Sequence, residues 1–210
     1  MKILSLRYKF ILFTIASAFS FFGVLADKKK EVPPAPDIHA ISKAENIGYP
    51  VVPEKYHKFI ADYMLREAQN ILKQGYKVET ERNGEVVVVT IPASKLFLPN
   101  AFELEVSGQK LIEPFSAYLK TENRFKIIMA MHSDDTGSPS YLENLTGERL
   151  QAAMSFLENQ STHPEQIVGY AMASDEPIQP NSNIANRALN RRLEIYIIPG
   201  TELINQAAKR

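Results

Sequence analysis

The chain has 210 residues, 45% hydrophobic and 23% charged, with 24 basic and 24 acidic side chains in formal balance. That is ordinary globular usage, enough for one domain with a real core plus extensions and too little for two large domains. Cysteine is absent, which excludes disulfides, thiolate metal sites, cysteine nucleophiles and a cysteine-linked lipid anchor.

Lys2, Arg7 and Lys9 lead into the apolar run 10–26, which closes on Val24-Leu25-Ala26. A positive start, a hydrophobic stretch and a small residue at the cut describe a secretory signal peptide over residues 1–26. An uncleaved anchor is the alternative, because the 17 residues of the run reach the low end of a membrane span. The mass of the mature chain separates the two, cleavage giving a start near Asp27. Cleavage removes three basic and no acidic groups, leaving 21 basic against 24 acidic and a formal charge of −3. No strong basic field remains, so nucleic acid is not an expected partner.

Residues 27–53 hold Pro33, Pro34, Pro36, Pro50 and Pro53, which favour an extended, semi-rigid tether. A helix is expected over 54–74, where Tyr56, Phe59, Ile60, Tyr63, Met64, Ile71 and Leu72 recur at helical spacing and Gly75 stops it. In YKVETERNGEVVVVTI, the Asn83-Gly84 pair suits the positive-φ positions of a type I′ turn between β-branched runs, predicting a hairpin. Residues 54–84 thus read as a helix and the first hairpin strand. Beyond the hairpin, a loop precedes a helix expected over 107–120, with Leu111, Phe115, Tyr118 and Leu119 as its inner face.

The run FKIIMAM, 125–131, reads as a strand buried on both faces. Ser138-Pro139 reads as an N-cap and first helical residue, starting a helix to about Asn159 with Leu145, Ala152, Ala153 and Phe156 on one side. A further buried strand is expected over 165–172 and the last over 193–198, with a polar stretch between them. This order predicts an α/β (α+β) fold, a sandwich with helices on one face of a mixed sheet. No internal repeat is present, and an outer-membrane barrel, which needs at least eight strands, is excluded.

The loop after the first buried strand, HSDDTGSPS, contains Asp-Thr-Gly, the triplet of aspartic proteases. Those enzymes need two carboxylates sharing a proton. Here the triplet occurs once, leads into a helix and follows polar His132, Ser133 and Asp134. A calcium loop fits poorly, since with Gly137 at its sixth position His132 and Thr136 occupy ligand positions. The four histidines are scattered and form no zinc pattern, and His132 reads as a structural strand-end residue. Neither a nucleophile elbow nor a phosphate-binding loop is present. No catalytic residue, metal or cofactor is expected.

Asp134 follows a strand, and Arg149 lies fifteen residues on, two to three turns into the next helix. A strand-loop-helix unit folds back on itself, so both can face one cleft. A fixed anion and a fixed cation there suit a zwitterion, the carboxylate taking an ammonium and the guanidinium a carboxylate. On spacing alone, a plain Asp–Arg salt bridge is the favoured reading.

HSDDTGSPSYLENLTGERL, GYAMASDEP and NRALNRRLEI follow one another in the order of motifs in the OmpA-like, peptidoglycan-associated domain of Gram-negative envelope proteins. The upstream LFLPNAFEL resembles that family's Leu-Phe segment. The resemblance spans 85–198 and implies a β/α/β/α/β/β sandwich over 85–200, with 201–210 as a C-terminal tail. It implies that Asp134 takes the ammonium and Arg149 the carboxylate of the diaminopimelate side chain of a peptidoglycan stem peptide. It places Asn100, Ser133 and Arg191 in the same pocket; sheet-end salt bridging is the other reading of Arg191 and Arg192. Leu142, Leu150 and Ala171-Met172 depart from the family pattern, Leu142 removing a polar contact and Leu150 adding bulk at a helix-packing position.

The reading implied is a non-enzymatic wall-binding protein, exported to the periplasm and associated with the outer membrane and cell wall. Its expected partners are peptidoglycan and outer-membrane or other envelope proteins. The alternatives are an envelope assembly protein whose domain binds a protein partner instead, and an inner-membrane motor-associated protein if residues 10–26 stay uncleaved.

Overall fold

The computed structural model describes Ile47 and residues 49–209. The signal segment 1–26, most of the expected tether and Arg210 lie outside the described residues. One 3-10 turn, Glu54–Tyr56, leads into helix α1, His57–Lys73. Its buried Ile60, Met64, Ala68 and Ile71 recur every three or four residues, the spacing that lines up one face of a helix. Gly75, at φ 91°, turns the chain out of it as expected.

Strands β1, Lys77–Glu81, and β2, Val86–Pro92, pair antiparallel from Lys77↔Thr90 to Glu81↔Val86. The turn between them is the expected one: Asn83 at φ 55°, ψ 35° and Gly84 at φ 90°, with the Glu85 N–H donating to the Arg82 carbonyl at 3.2 Å. Arg82 is also left-handed, at φ 53°. Its guanidinium donates to the carbonyls of Ile47 (2.6 Å) and Pro50 (3.4 Å) and pairs with the buried Glu85 carboxylate. His57 Nε2 lies 2.7 Å from the Val52 carbonyl. The incoming chain is thereby fixed at the β1–β2 turn.

The helix expected over 107–120 is shorter than its pattern. Helix α2 spans Val106–Ile112 and tightens into a 3-10 segment, Glu113–Leu119. Pro114 has no N–H to donate and crowds the carbonyl one turn back, so the α-helical ladder cannot continue through it. Phe115 and Leu119 are buried as expected, whereas Leu111 and Tyr118 are half-buried and Ile112 joins the core.

Strand β3, Phe125–His132, is buried almost throughout. Helix α3, Pro139–Gln160, starts at the expected cap, where the Ser138 hydroxyl accepts from the Tyr141 N–H at 3.3 Å. Its buried face runs through Leu142, Leu145, Thr146, Arg149, Leu150, Ala153 and Leu157, leaving Ala152 and Phe156 half-buried. Strand β4, Ile167–Ala173, is a partly exposed edge strand rather than the buried strand expected. The polar stretch after it contains helix α4, Ile184–Asn190, capped by the Asn183 side chain. Strand β5, Arg192–Pro199, is buried throughout, and residues assigned to a tail form helix α5, Thr201–Ala208.

The sheet order is β1-β2-β5-β3-β4, with β3 and β4 parallel and every other neighbour antiparallel. Alternation along the strands sends Val87, Val89, Ile127, Met129, Ile195 and Ile197 to one side, against α1, α2, α3 and α5. Val86, Val88, Ile128, Ala130, Tyr196 and Ile198 face the other side with Ile47. Helices on one face of a mixed sheet is therefore the observed architecture. Across the α3–β4 contact Gly169 leaves room for Met154 and Leu150, since an added Cβ would run into the Met154 sulfur and lie 3.1 Å from a Leu150 methyl.

Candidate ligand-binding site

Antiparallel pairing brings the C-terminal ends of β2 and β3 and the N-terminal end of β5 to one pole of the sheet, with Ile91↔Leu193 and Met131↔Leu193 in register. There Ser133 and Asp134 leave β3, Arg191 precedes β5, and Ala93 follows β2. The N-terminal turns of α3 and the 97–101 loop close a cavity of about 520 Å³ over them. Asp134, Arg149, Asn100, Ser133 and Arg191, all singled out from the sequence, line it together with Phe97, Leu98, Tyr141, Leu142 and Leu145.

Asp134 is 3% exposed. Its Oδ1 accepts the Thr136 N–H at 2.8 Å, the side-chain turn that Asp makes two residues ahead. Its Oδ2 accepts from Arg191 Nη1. Burial pushes the carboxyl pKa up, but the Thr136 amide and the Arg191 guanidinium outweigh it and hold the group below its ordinary value.

The ion pair of Asp134 is with Arg191 and not with Arg149. Arg149, 6% exposed, donates Nε to the Ala101 carbonyl at 2.7 Å and Nη2 to the Leu98 carbonyl at 3.1 Å. Its guanidinium carbon lies 5.0 Å from the centre of the Phe97 ring, within cation–π range. It makes no ion pair among the described residues. Burial pushes its pKa down; Tyr141 opposes this shift and the like charge of Arg191 adds to it. A guanidinium nevertheless stays charged at any physiological pH. A buried cation held by neutral carbonyls and an aromatic ring, with no anion, is electrostatically incomplete, and this one borders an open cavity.

Asn100, left-handed at φ 58°, accepts the Tyr141 hydroxyl at 3.1 Å, linking two walls of the mouth. Ser133 is buried, its N–H bonded to the Ala173 carbonyl at 2.6 Å. Leu142 gives the wall an apolar surface. Arg192, by contrast, lies outside the lining and pairs with Glu194 at 2.7 Å. Asp135 is exposed and is not a lining residue. Sequence reasoning missed Phe97, the carbonyls of Leu98 and Ala101, and the role of Thr136. Only the last had a local signal, the Asp-x-Thr spacing of a side-chain turn.

A model described as the OmpA family matches residues 96–191. A probable lipoprotein, YiaD, of Escherichia coli K12 is 23% identical over 144 residues, which make up 69% of this chain and 64% of that protein's length. Among solved structures, a putative MotB-like protein from Desulfovibrio vulgaris superimposes with a TM-score of 0.59 at 17% identity, covering 68% of this chain and 98% of that one. The cell wall anchor of the T6SS from Pseudomonas aeruginosa gives 0.53 at 23% identity, covering 67% and 96%. The periplasmic domain of Helicobacter pylori MotB gives 0.52 at 21%, covering 64% and 88%.

Proposed function

Because residues 96–191 match a model of the OmpA family, we propose that this chain holds peptidoglycan noncovalently through the diaminopimelate of a stem peptide. Asp134 receives the ammonium of that side chain and Arg149 its carboxylate, while Asn100, Ser133 and Arg191 complete the pocket. The observation that carries the reading is Arg149, a buried cation without an anionic partner among the described residues, its guanidinium fixed beside the cavity by two backbone carbonyls. A carboxylate bound there completes it with a charge-assisted, planar contact. The T6SS cell wall anchor among the structural neighbours supports the wall as the partner. The protein acts as an envelope link and not as an enzyme, exported to the periplasm and associated there with the outer membrane and cell wall. Many weak wall contacts then give a strong attachment when several copies act together.

The test is retention on purified sacculi. The wild-type chain is expected to sediment with them, and Asp134→Ala and Arg149→Ala to remain in the supernatant. Wild type left in the supernatant overturns the reading. In that case the second reading, an envelope assembly protein that binds a protein partner, takes its place. It is favoured by the exposed apolar residues Leu98, Phe102 and Val106 in and beside the 97–101 loop.

A further inference from the structure

We propose that Arg191 makes the site selective: it occupies Asp134 while the pocket is unliganded and gives it up to an ammonium only when the ligand also brings a carboxylate. This rests on the reading of the site given above. Both Asp134 oxygens are committed, Oδ1 to the Thr136 N–H at 2.8 Å and Oδ2 to Arg191 Nη1. An ammonium approaching Asp134 must therefore share or displace Arg191. Displacement is sterically open, because the Arg191 side chain is 39% exposed while the carboxylate it covers is 4% exposed.

The cost of displacement is electrostatic. The pocket holds two guanidinium groups and one carboxylate, and the charge of Arg191 already bears on Arg149. A bare amine entering this space would set three cations around one anion, in a partly desolvated site where like charges repel strongly. An ammonium with a carboxylate on the same carbon brings its own anion, which the two guanidinium groups receive together. A further carboxylate on the ligand brings the site to neutrality. Arg191 thus turns an acidic residue that would accept any amine into a receptor for the α-amino-acid end of a side chain. Lysine-type stem peptides and polyamines are excluded on this account.

The experiment is isothermal titration of the exported chain with two tripeptides, L-Ala-γ-D-Glu-X, where X is meso-diaminopimelate or L-lysine. They differ only in the carboxylate at the far end of the third side chain. Wild type is expected to bind the diaminopimelate peptide at least about tenfold more tightly than the lysine peptide, tenfold being the effect of about 1.4 kcal/mol of charge compensation. In Arg191→Gln the ratio is expected to fall to near unity, with the lysine peptide binding better than it does to wild type. Arg191→Lys keeps the cation and is expected to keep most of the preference. Equal weakening of both peptides in Arg191→Gln, or an unchanged ratio, overturns the proposal and leaves Arg191 an ordinary contact. Equal binding of the two peptides by wild type also overturns it. Wild type that binds neither peptide overturns the underlying reading and this proposal with it.

Discussion

Glu194 sits on the sheet face away from the helices, 8% exposed, with Arg192 Nε at 2.7 Å and the Tyr196 hydroxyl at 2.6 Å. His132 Nε2 lies 3.4 Å from it, yet both nitrogens of that imidazole lack a hydrogen bond among the described residues. Burial pushes the His132 pKa down, against the pull of the Glu194 carboxylate, and Arg192 is the persistent counter-charge. Burial also pushes the Glu194 carboxyl up; His132, Arg192 and Tyr196 outweigh this and hold it down to about 2. Removing the cation leaves the carboxylate buried alone, so Arg192→Ala is expected to destabilise the fold by about 3–5 kcal/mol in urea unfolding. Replacing the pair together, Arg192→Met with Glu194→Leu, is expected to recover most of that loss. Asp134 is depressed as well. A carboxylate whose folded pKa is depressed binds its proton more readily in the unfolded chain, so the stability it lends is present above the unfolded value and lost as pH falls through the folded one. Glu194 therefore predicts a stability loss that begins near pH 4.5 and deepens toward pH 2, and Asp134 adds a loss that begins near its ordinary value of 3.8. Asp134→Asn is expected to flatten part of that slope, as read by urea midpoints across pH 2–6.

Elements with strong local punctuation were legible in the sequence and those shaped by distant contacts were not. The Asn83-Gly84 turn, the Ser138-Pro139 helix start and the Gly75 stop each rest on backbone chemistry within a few residues, and all three are observed. Pro114 carried an equally local signal, the change from α2 to a 3-10 segment, which the apolar spacing of 107–120 obscured. Helix α5 had no such cue. It packs Leu203, Ile204 and Ala207 into the core, and its start is set by Gly200, whose N–H donates to the Arg124 carbonyl at 2.8 Å. A Cβ on Gly200 would stand 2.0 Å from the Asn123 carbonyl oxygen and 2.6 Å from its carbon, both backbone atoms with little room to yield. Gly200→Ala is therefore expected to cost at least about 1–3 kcal/mol through overpacking, with amide exchange accelerated first in α5.

Across the whole molecule, the sheet-and-helix layering followed from the order of apolar runs, because each run can bury itself in few ways. The strand order, with β5 between β2 and β3, did not follow from any run. It joins residues more than a hundred positions apart, as in Val87↔Ile197. The site was legible to the same degree. Asp134 and Arg149 stand at its two walls because they flank one strand-loop-helix unit. That Arg191 and not Arg149 pairs with Asp134 depends on β3 and β5 lying side by side, a contact between residues 57 apart.

The incoming chain is fixed at the β1–β2 turn, at one end of β2, and the candidate cavity opens at the other end. If residues 27–53 tie the domain to a membrane and the cavity grips the wall, tension runs lengthwise through the sheet. The hydrogen bonds between β2, β5 and β3 lie across that pull, so they are loaded together in shear instead of opening one at a time like a zip. Under force, the first connections to give are then the ion pairs at the two poles, Arg82 with Glu85 and the bound ligand with Arg149. On the proposed reading, the ligand contact yields before the sheet unravels.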